Sequence, residues 1–385
     1  MSEIKYFNYD HAFQLESGKS LSGFKLAYQT FGNLNADKSN VIWIIHALTA
    51  NSDPTDWWPG VVGKNKTINP KDHFIICANC LGSHYGSTNP LDINPSTDKK
   101  YYHDFPILSN RDIVNSFIKL RTHLGLLKIN TLIGSSLGGQ QALEWAIAEP
   151  NKIVNLGLIA TNAQHSPYGI AFNESQRLAI EADQTWKEKR DDAGQLGLCA
   201  ARSIALLSYR TSSGYNSTQK DNDQKTDNFK ASSYQRYQGN KLINRFNAFS
   251  YWLLSKAMDS HNVGRNRGSI EKALSYIKSN TIVIGINSDF LFPTSEQIRI
   301  TEHIPNAKFY EISSNLGHDG FLTESDRVSK ILEKIIHPTS RKTYLKVRND
   351  TLIKYAFIRR YFIFQQGKKR RQCSALARLF NAVER

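Results

Sequence analysis

A serine flanked by glycines stands where a short apolar strand runs directly into a helix. In the segment LIGSSLGGQQALEWA, residues 132–146, Ser136 is the central residue of a G-x-S-x-G pentapeptide. Glycine and serine are also common in ordinary turns, so the pentapeptide alone is weak evidence. The strand before it and the helix after it are the context of a nucleophile elbow, which holds a serine above the sheet at a helix N-terminus. We therefore predict that Ser136 is a nucleophile.

A serine hydroxyl is a poor nucleophile at neutral pH, so Ser136 requires a base and a third group that fixes the tautomer of that base. In this architecture the partners follow in the chain order serine, acid, histidine. Asp289, in GINSDFLFP, and His318, in SSNLGHDGFL, each come just after an apolar strand-like run. These positions predict a catalytic triad of Ser136, Asp289 and His318. Two alternatives stay open, namely that Asp289 caps the next helix and that Asp319 is the carboxylate partner.

Backbone N–H groups must stabilise the negative charge that develops during acyl transfer. The residue directly after the nucleophile, Leu137, is one expected donor. The loop in IIHALTANSD supplies the other, and Leu48 is the residue we predict there. An ordinary turn at HALT is the alternative, because backbone donors leave no pattern of side chains.

Six short runs rich in β-branched and aromatic residues predict the strands that position these groups. Near-continuous apolar strands are typical of a parallel sheet covered by helices on both faces. One connecting segment, SNRDIVNSFIKLRTHLGL, places Ser109 as an N-cap and Asp112 in the first turn of a helix. The predicted fold class is α/β, with a mostly parallel central sheet and crossover helices. The runs are residues 41–48, 73–79, 130–136, 153–161, 281–288 and 308–314.

The alternation of strands and helices stops between residues 165 and 275, where helix-like segments follow one another. We therefore predict a core in two parts, residues 1–164 and 276–338, separated by a helical lid insertion at 165–275. Within the insertion, residues 212–228 are polar and predict a surface loop. The remaining residues, 339–385, form a basic C-terminal extension.

Composition and cysteine usage narrow the class of protein. The 385 residues are 40% hydrophobic, which is enough for a large core, and no apolar stretch approaches the length of a membrane span. The N-terminus lacks the apolar run of a signal peptide, and the four cysteines form no disulfide framework, so we expect a reduced, cytoplasmic protein. Cys77 and Cys80 form a C-x-x-C without a second ligand pair, so we expect structural thiols and no metal.

The net charge of +15 is concentrated at the C-terminal end. Residues 339–385 contain 13 Lys or Arg and two acids, so they carry +11 and leave +4 for residues 1–338. A basic segment of this kind could bind RNA or an anionic membrane surface. No defined nucleic-acid module accompanies it. We therefore expect neither nucleic acid nor membrane as a partner and assign the extension no function.

Seven blocks occur in order between residues 10 and 337: HALTANSD, NCLGSHYGSTNP, FPILSNRDIV, GSSLGGQQALEWA, YQGNKLINRFNAFSYWLLSKAMDS, SDFLFP and GHDGF. Together they resemble the homoserine O-acetyltransferase family. The resemblance implies an α/β-hydrolase fold and transfer of an acyl group from acetyl-CoA to the side-chain hydroxyl of L-homoserine, in methionine biosynthesis. It also implies a seryl acyl-enzyme, a homodimer formed through the helical insertion, and no bound cofactor, because the acyl-CoA is a substrate.

The same resemblance implies two substrate-binding residues. The family holds the substrate carboxylate with an arginine of the insertion, and GLCAARSIALLSYR places Arg202 at that position. Arg210, two helical turns further on, is the alternative. The acid directly after the catalytic histidine, here Asp319, holds the amino group. A guanidinium grips a carboxylate with two hydrogen bonds, and a carboxylate pairs with an ammonium group.

Three positions depart from the family's pattern. Leu137 and Gln140 stand where the family usually has Met, and Ala50 stands where it usually has Gly. Leucine for methionine conserves volume, whereas Gln140 and Ala50 could change the substrate pocket. The donor, acetyl-CoA or succinyl-CoA, and the acceptor, homoserine or serine, therefore stay open. Two other classes stay open: an esterase or thioesterase with the same triad, and a noncatalytic protein that binds through its basic extension, although the spacing of the triad argues against the second.

Overall fold

A computed structural model describes residues 2–221 and 224–337 of the chain. Within these ranges the backbone forms the following strands: β1 (Lys5–Tyr9), β2 (Phe13–Gln14), β3 (Ser20–Leu21), β4 (Phe24–Phe31), β5 (Val41–Ile45), β6 (Phe74–Ala78), β7 (Ile93–Asn94), β8 (Lys99–Lys100), β9 (Ile129–Ser135), β10 (Ile153–Ile159), β11 (Asn280–Ile286) and β12 (Ala307–Ile312). All six strand-like runs of the sequence correspond to strands of this set.

Helices fill most of the connections between the strands. They are α1 (Pro54–Trp57), α2 (Asn110–His123), α3 (Leu137–Ala148), α4 (Pro167–Glu181), α5 (Gln195–Tyr209), α6 (Ser212–Gln219), α7 (Lys230–Ile243), α8 (Ala248–Asp259), α9 (Ile270–Ser275), α10 (Thr294–His303), α11 (Gly320–Thr323) and α12 (Ser325–Ile336), with 3₁₀ turns at Tyr102–Asp104 and Gly317–Asp319. Helix α2 has the predicted start, because the Ser109 hydroxyl accepts the Asp112 N–H and the Asp112 carboxylate accepts the Ser109 N–H.

Eight of the strands form one sheet in the order β1-β4-β6-β5-β9-β10-β11-β12. From β6 to β12 every neighbouring pair is parallel. The mostly parallel sheet predicted from the sequence is therefore confirmed. Strands β1 and β4 add an antiparallel edge that the sequence patterns did not predict, because their apolar residues are mixed with polar ones in KYFNY and FKLAYQTF.

Strand β5 shows how the sheet separates two apolar layers. Val41, Trp43 and Ile45 pack into one cluster of buried side chains, whereas Ile42 and Ile44 pack into the other. A strand buried on both faces has little freedom to shift. It therefore fixes the position of the loop that follows it at the carboxyl edge of the sheet.

Helices α4 to α9 lie between β10 and β11, in the segment predicted as a helical insertion. The predicted loop at residues 212–228 is wrong for its first half, because Ser212–Gln219 is helical. The Thr211 hydroxyl caps this helix by accepting the N–H of Gly214 at 3.0 Å, and the Tyr215 ring packs edge-on against Tyr234, 6.1 Å between centroids. A local cap and one aromatic contact outweigh the polar composition.

The described residues also bear on the predictions about membranes, metals and thiols. No helix among them has the length and apolarity needed to cross a bilayer, and no group of His, Cys, Asp and Glu among them could hold a metal ion. Cys77 and Cys80 are buried free thiols, and burial raises the pKa of Cys80 to about 12. The basic extension, residues 339–385, lies outside the described residues.

Candidate active site

Ser136 stands at the sharp turn between β9 and α3. Its backbone torsions, φ 54° and ψ −125°, lie in a region that side-chain-bearing residues rarely occupy. The end of β10 stabilises this conformation, because the Ser136 N–H donates to the Ile159 carbonyl at 3.0 Å and the Ser136 carbonyl accepts the Thr161 hydroxyl at 2.9 Å. The turn therefore points the hydroxyl away from the sheet, as a nucleophile elbow does.

Two glycines make this turn possible. A Cβ atom on Gly134 would overlap the carbonyl oxygen of Gly138, and a Cβ atom on Gly138 would overlap the carbonyl oxygen of Ile45 on β5. The first contact lets the helix start directly above its own strand, and the second brings the elbow against the neighbouring strand. Both glycines of G-x-S-x-G are thus required by close backbone approach.

The structure brings Ser136, His318 and Asp289 into one hydrogen-bonded chain. The His318 Nε2 atom lies 2.9 Å from the Ser136 Oγ, and its Nδ1 atom lies 2.6 Å from the Asp289 Oδ2. The second Asp289 oxygen accepts the N–H groups of Leu291 and Phe292, both at 2.9 Å. All three triad side chains are buried. The carboxylate is therefore fixed in the orientation that places the proton on His318 Nδ1 and leaves Nε2 free to accept one from serine.

Aromatic rings hold the His318 imidazole on three sides. Phe292 stacks on it with 5.0 Å between ring centroids, Phe321 meets it edge-on at 5.3 Å, and Tyr209 lies at 5.7 Å. The two alternatives for the carboxylate are resolved by geometry. Helix α10 has Pro293 as its N-cap rather than Asp289, and the carboxylate hydrogen-bonded to the imidazole is Asp289, whereas Asp319 accepts from Arg210.

The predicted oxyanion donors lie beside the nucleophile. Leu137 is the first residue of α3, so its N–H has no acceptor within the helix. Leu48, in the loop after β5, borders the same cavity as Ser136. The sequence reasoning missed His46, which shapes this loop: its Nε2 accepts the Cys80 N–H at 3.1 Å, so Nδ1 carries the proton and donates to the Ala47 carbonyl at 2.8 Å. Burial lowers the pKa of His46 to about 4, so the ring is neutral at pH 7.

The triad opens into a cavity of about 530 Å³ between the sheet edge and the helical insertion. Arg202 and Asp319 both border this cavity, together with Ser136 and His318. The alternative arginine, Arg210, is not among its lining residues. The charged residues that border the space faced by the nucleophile therefore include Arg202 and Asp319, the two residues that the resemblance implies for substrate binding.

Arg210, the alternative considered for binding the substrate carboxylate, is paired with an acid instead. Its Nε donates to the Asp319 Oδ2 at 2.9 Å, and both side chains are only partly exposed. Arg202 instead lies over the Tyr209 ring, 5.6 Å from its guanidinium carbon to the ring centroid, and has no carboxylate partner among the described residues. Arg202 is thus the arginine with hydrogen-bond donors available to a ligand, while Arg210 orients Asp319.

The three departures from the family pattern lie in different places. Gln140 is fully buried outside the cavity, where its amide donates to the Asn162 side chain at 2.9 Å and its oxygen accepts the Asn110 side chain at 3.1 Å. The Leu137 side chain belongs to the apolar core. Ala50 borders the cavity. Of these substitutions, Ala50 is therefore the one in direct reach of a substrate.

Comparison with known proteins agrees with the fold. A family model described as the alpha/beta hydrolase fold matches residues 40–325. The solved structure of esterase E22 superposes with a TM-score of 0.79 at 24% identity, covering 88% of this chain and 100% of that one, which is a likeness of fold. The chain is thus an α/β-hydrolase-fold protein with a buried serine, histidine and aspartate at the carboxyl edge of its sheet.

Closer relatives define the group within this fold. The homoserine O-acetyltransferase of Cyclobacterium marinum is 51% identical over 327 residues, which are 85% of this chain and 93% of the relative. The crystal structure of homoserine O-acetyltransferase from Staphylococcus aureus superposes with a TM-score of 0.72 at 28% identity, covering 86% of this chain and 95% of that one. The chain belongs to the homoserine O-acetyltransferase family of acyltransferases.

Proposed function

We propose that the chain transfers the acetyl group of acetyl-CoA to the side-chain hydroxyl of L-homoserine. The observation that carries the proposal is the joint placement of Arg202 and Asp319 in the cavity that contains the Ser136 hydroxyl. Opposite charges on the cavity wall suit an acceptor with a carboxylate and an ammonium group. An esterase or thioesterase, whose acceptor is water, would have no use for this pair.

The first half of the proposed reaction loads the enzyme. His318 Nε2 takes the Ser136 proton as Oγ attacks the thioester carbonyl, and the oxyanion accepts the N–H groups of Leu48 and Leu137. The carbon–sulfur bond then breaks. His318 returns the proton to the departing thiolate, and CoA leaves an acetyl ester on Ser136. The Asp289 carboxylate stabilises the imidazolium throughout without taking the proton itself.

The second half transfers the acetyl group. Arg202 binds the carboxylate of homoserine and Asp319 binds its ammonium group, so the side-chain hydroxyl is presented to the acetyl ester. His318 removes the hydroxyl proton, the new ester bond forms, and Ser136 regains its proton as the acyl–enzyme bond breaks. Positioning the acceptor beside the ester at high effective concentration favours transfer over hydrolysis.

A small enclosed space supports an acetyl rather than a succinyl donor. This second cavity, of about 10 Å³, borders Ser136, Leu48 and Tyr209. It has room for one group of the size of a water molecule, which matches the methyl of an acetyl group. A succinyl group is longer and carries a charged carboxylate, so it would have to extend into the larger cavity instead.

The proposed assembly is a homodimer formed through the insertion, in the cytoplasm. Five large apolar side chains on helices α4, α5 and α7 of the insertion are more than half exposed, and they would supply apolar surface for this contact. They are Tyr168, Leu178, Leu196, Leu207 and Tyr237.

The proposal is tested by measuring CoA release from acetyl-CoA and from succinyl-CoA, each with homoserine, serine or no acceptor. We expect release that requires homoserine and acetyl-CoA and that Ser136→Ala reduces by at least about 10³-fold, because both half-reactions pass through Oγ. CoA release at the same rate with and without an acceptor would indicate a thioesterase. Full transfer by Ser136→Ala would contradict the acyl-enzyme.

A further inference from the structure

The arginines of the chain fall into two groups by their ionic partners. In the described residues, nine of the twelve lie within 4.0 Å of a carboxylate oxygen. The other three have no carboxylate oxygen of the described residues within this distance; they are Arg202, Arg236 and Arg245. Arg202 and Arg245 both border the active-site cavity, as does Lys241, which also has no carboxylate within that distance in this part of the chain. The cavity wall thus carries two cations, Lys241 and Arg245, that the proposed reaction has not used.

Arg245 is held in place by neutral groups. One terminal nitrogen donates to the Thr49 carbonyl at 2.5 Å and to the Tyr85 hydroxyl at 2.6 Å, and the other lies 3.4 Å from the Thr49 hydroxyl. Because a guanidinium has five N–H donors and these contacts use three of them, two remain for a ligand. Its position is therefore fixed while its charge is uncompensated, and the side chain is exposed at the outer part of the cavity.

Lys241 lies in the last turn of α7, four residues before Arg245, and is also exposed. The acids that border the cavity are Asp56 and Asp319. Asp319 is paired with Arg210, and Asp56 lies beyond 4.0 Å from both Lys241 and Arg245. The outer wall is therefore suited to a ligand with negative charge.

We propose that Lys241 and Arg245 bind the phosphate groups of the acyl-CoA donor. This inference rests on the proposed function. The reacting thioester of an acyl-CoA is uncharged and must reach the buried Ser136, whereas its phosphates lie at the far end of the long pantetheine arm. Lysine and arginine bind phosphate through charge-assisted hydrogen bonds. Binding energy gained at this remote end holds the thioester against the nucleophile.

The test compares two donors that differ only in the phosphorylated nucleotide. Acetyl-CoA and S-acetylpantetheine are each assayed with homoserine, using the wild type, Lys241→Gln, Arg245→Gln and the double variant. Glutamine at 245 keeps an amide donor for the Thr49 carbonyl while removing the charge. Arg236→Gln is the matched control, because Arg236 lies on α7 like Lys241 and is also exposed. It has no carboxylate partner in the described residues and does not border the cavity.

We expect each cavity variant to raise the KM for acetyl-CoA by about tenfold at low salt, the equivalent of about 1.4 kcal/mol, with a larger effect in the double variant. The KM for S-acetylpantetheine should change much less, and Arg236→Gln should behave as the wild type with both donors. Added salt should raise the wild-type KM for acetyl-CoA and affect the double variant less.

Three results have distinct meanings. An equal rise in KM for acetyl-CoA and for S-acetylpantetheine would overturn the phosphate site and indicate that Arg245 shapes the loop at Thr49. An unchanged KM for acetyl-CoA in the double variant would overturn it as well. If the wild type used neither donor, the proposed function would fail. The phosphate site would then be tested by measuring the binding of CoA by calorimetry. Equal affinity of the wild type and Lys241→Gln for CoA would reject the site, and a tenfold lower affinity of the variant would support it. No hydrogen bond or ion pair joins the Lys241 side chain to another of the described residues, so Lys241→Gln is expected to fold even if Arg245→Gln does not.

Discussion

Replacing Asp289 with asparagine should nearly abolish catalysis while leaving the fold intact. One Asp289 oxygen accepts two backbone N–H groups, from Leu291 and Phe292, and the other faces His318 Nδ1. Only the oxygen of an asparagine side chain can accept the two backbone donors. Its NH₂ group must therefore face the imidazole, where it donates a hydrogen bond to Nδ1.

This arrangement reverses the tautomer of His318. With Nδ1 accepting, the proton moves to Nε2, which then points a donor at the Ser136 hydroxyl 2.9 Å away and can no longer remove its proton. The loss expected for a triad with the wrong tautomer is about 10⁴-fold in kcat. At 1.36 kcal/mol per factor of ten, this corresponds to about 5 kcal/mol of transition-state stabilisation.

The assay is CoA release from acetyl-CoA with saturating homoserine, measured beside the thermal unfolding of the same samples. Asp289→Asn should keep a melting temperature close to that of the wild type, because the two backbone hydrogen bonds persist. Asp289→Ala serves as the comparison, since it strands both N–H groups and should cost about 2–4 kcal/mol of stability. A loss of activity below tenfold in a folded Asp289→Asn variant would refute the reasoning about the tautomer.

Two further predictions concern neighbouring charges. Arg202→Met should raise the KM for homoserine by about 100-fold, near the value of a charge-assisted hydrogen bond, without slowing formation of the acetyl-enzyme in a burst experiment; equal effects on both half-reactions would remove Arg202 from acceptor binding. Burial, with the nearby charge of Asp289, raises the pKa of Glu296 from 4.5 to about 7. The folded protein therefore favours the neutral acid, and this stabilisation is complete below pH 4.5 and lost as the pH rises through 7. Glu296→Gln should unfold with a free energy about 1 kcal/mol higher than the wild type at pH 8 and equal to it at pH 4, as measured by urea titration; a difference independent of pH would contradict this.

The central sheet and the triad were accessible from the sequence because each depends on local patterns. Apolar runs of strand length mark the buried strands, and the elbow pentapeptide fixes where the nucleophile lies. Asp289 and His318 could be selected because the topology places the ends of successive parallel strands at one edge. The edge strands β1 and β4 were not predicted, since half-buried strands with mixed composition resemble ordinary loops.

The remaining site features depend on contacts between distant segments. The sequence left Arg202 and Arg210 as alternatives. Two observations favour Arg202 as the proposed substrate-binding residue: it borders the cavity whereas Arg210 does not, and Arg210 is paired with Asp319. Similarly, the link between Arg245 and the Thr49 carbonyl joins residues almost 200 positions apart. Helix α6 was mistaken for a loop because its cap and its contact with α7 outweigh its polar composition. Such contacts between distant segments leave no periodic pattern in the sequence.

The two expected oxyanion donors follow neighbouring strands of the same sheet, Leu48 after β5 and Leu137 after β9. Ile45 of β5 pairs with Gly134 of β9, and Leu48 and Leu137 each follow that pair by three residues. Their spacing is therefore set by the sheet and not by the insertion that forms the other wall of the cavity. Under the proposed function, substitutions in α4 to α9 can therefore change which acceptor is bound while the proposed acylating residues keep their positions. In evolutionary terms, the same set of catalytic residues can acquire a new acceptor specificity through changes in the helical insertion.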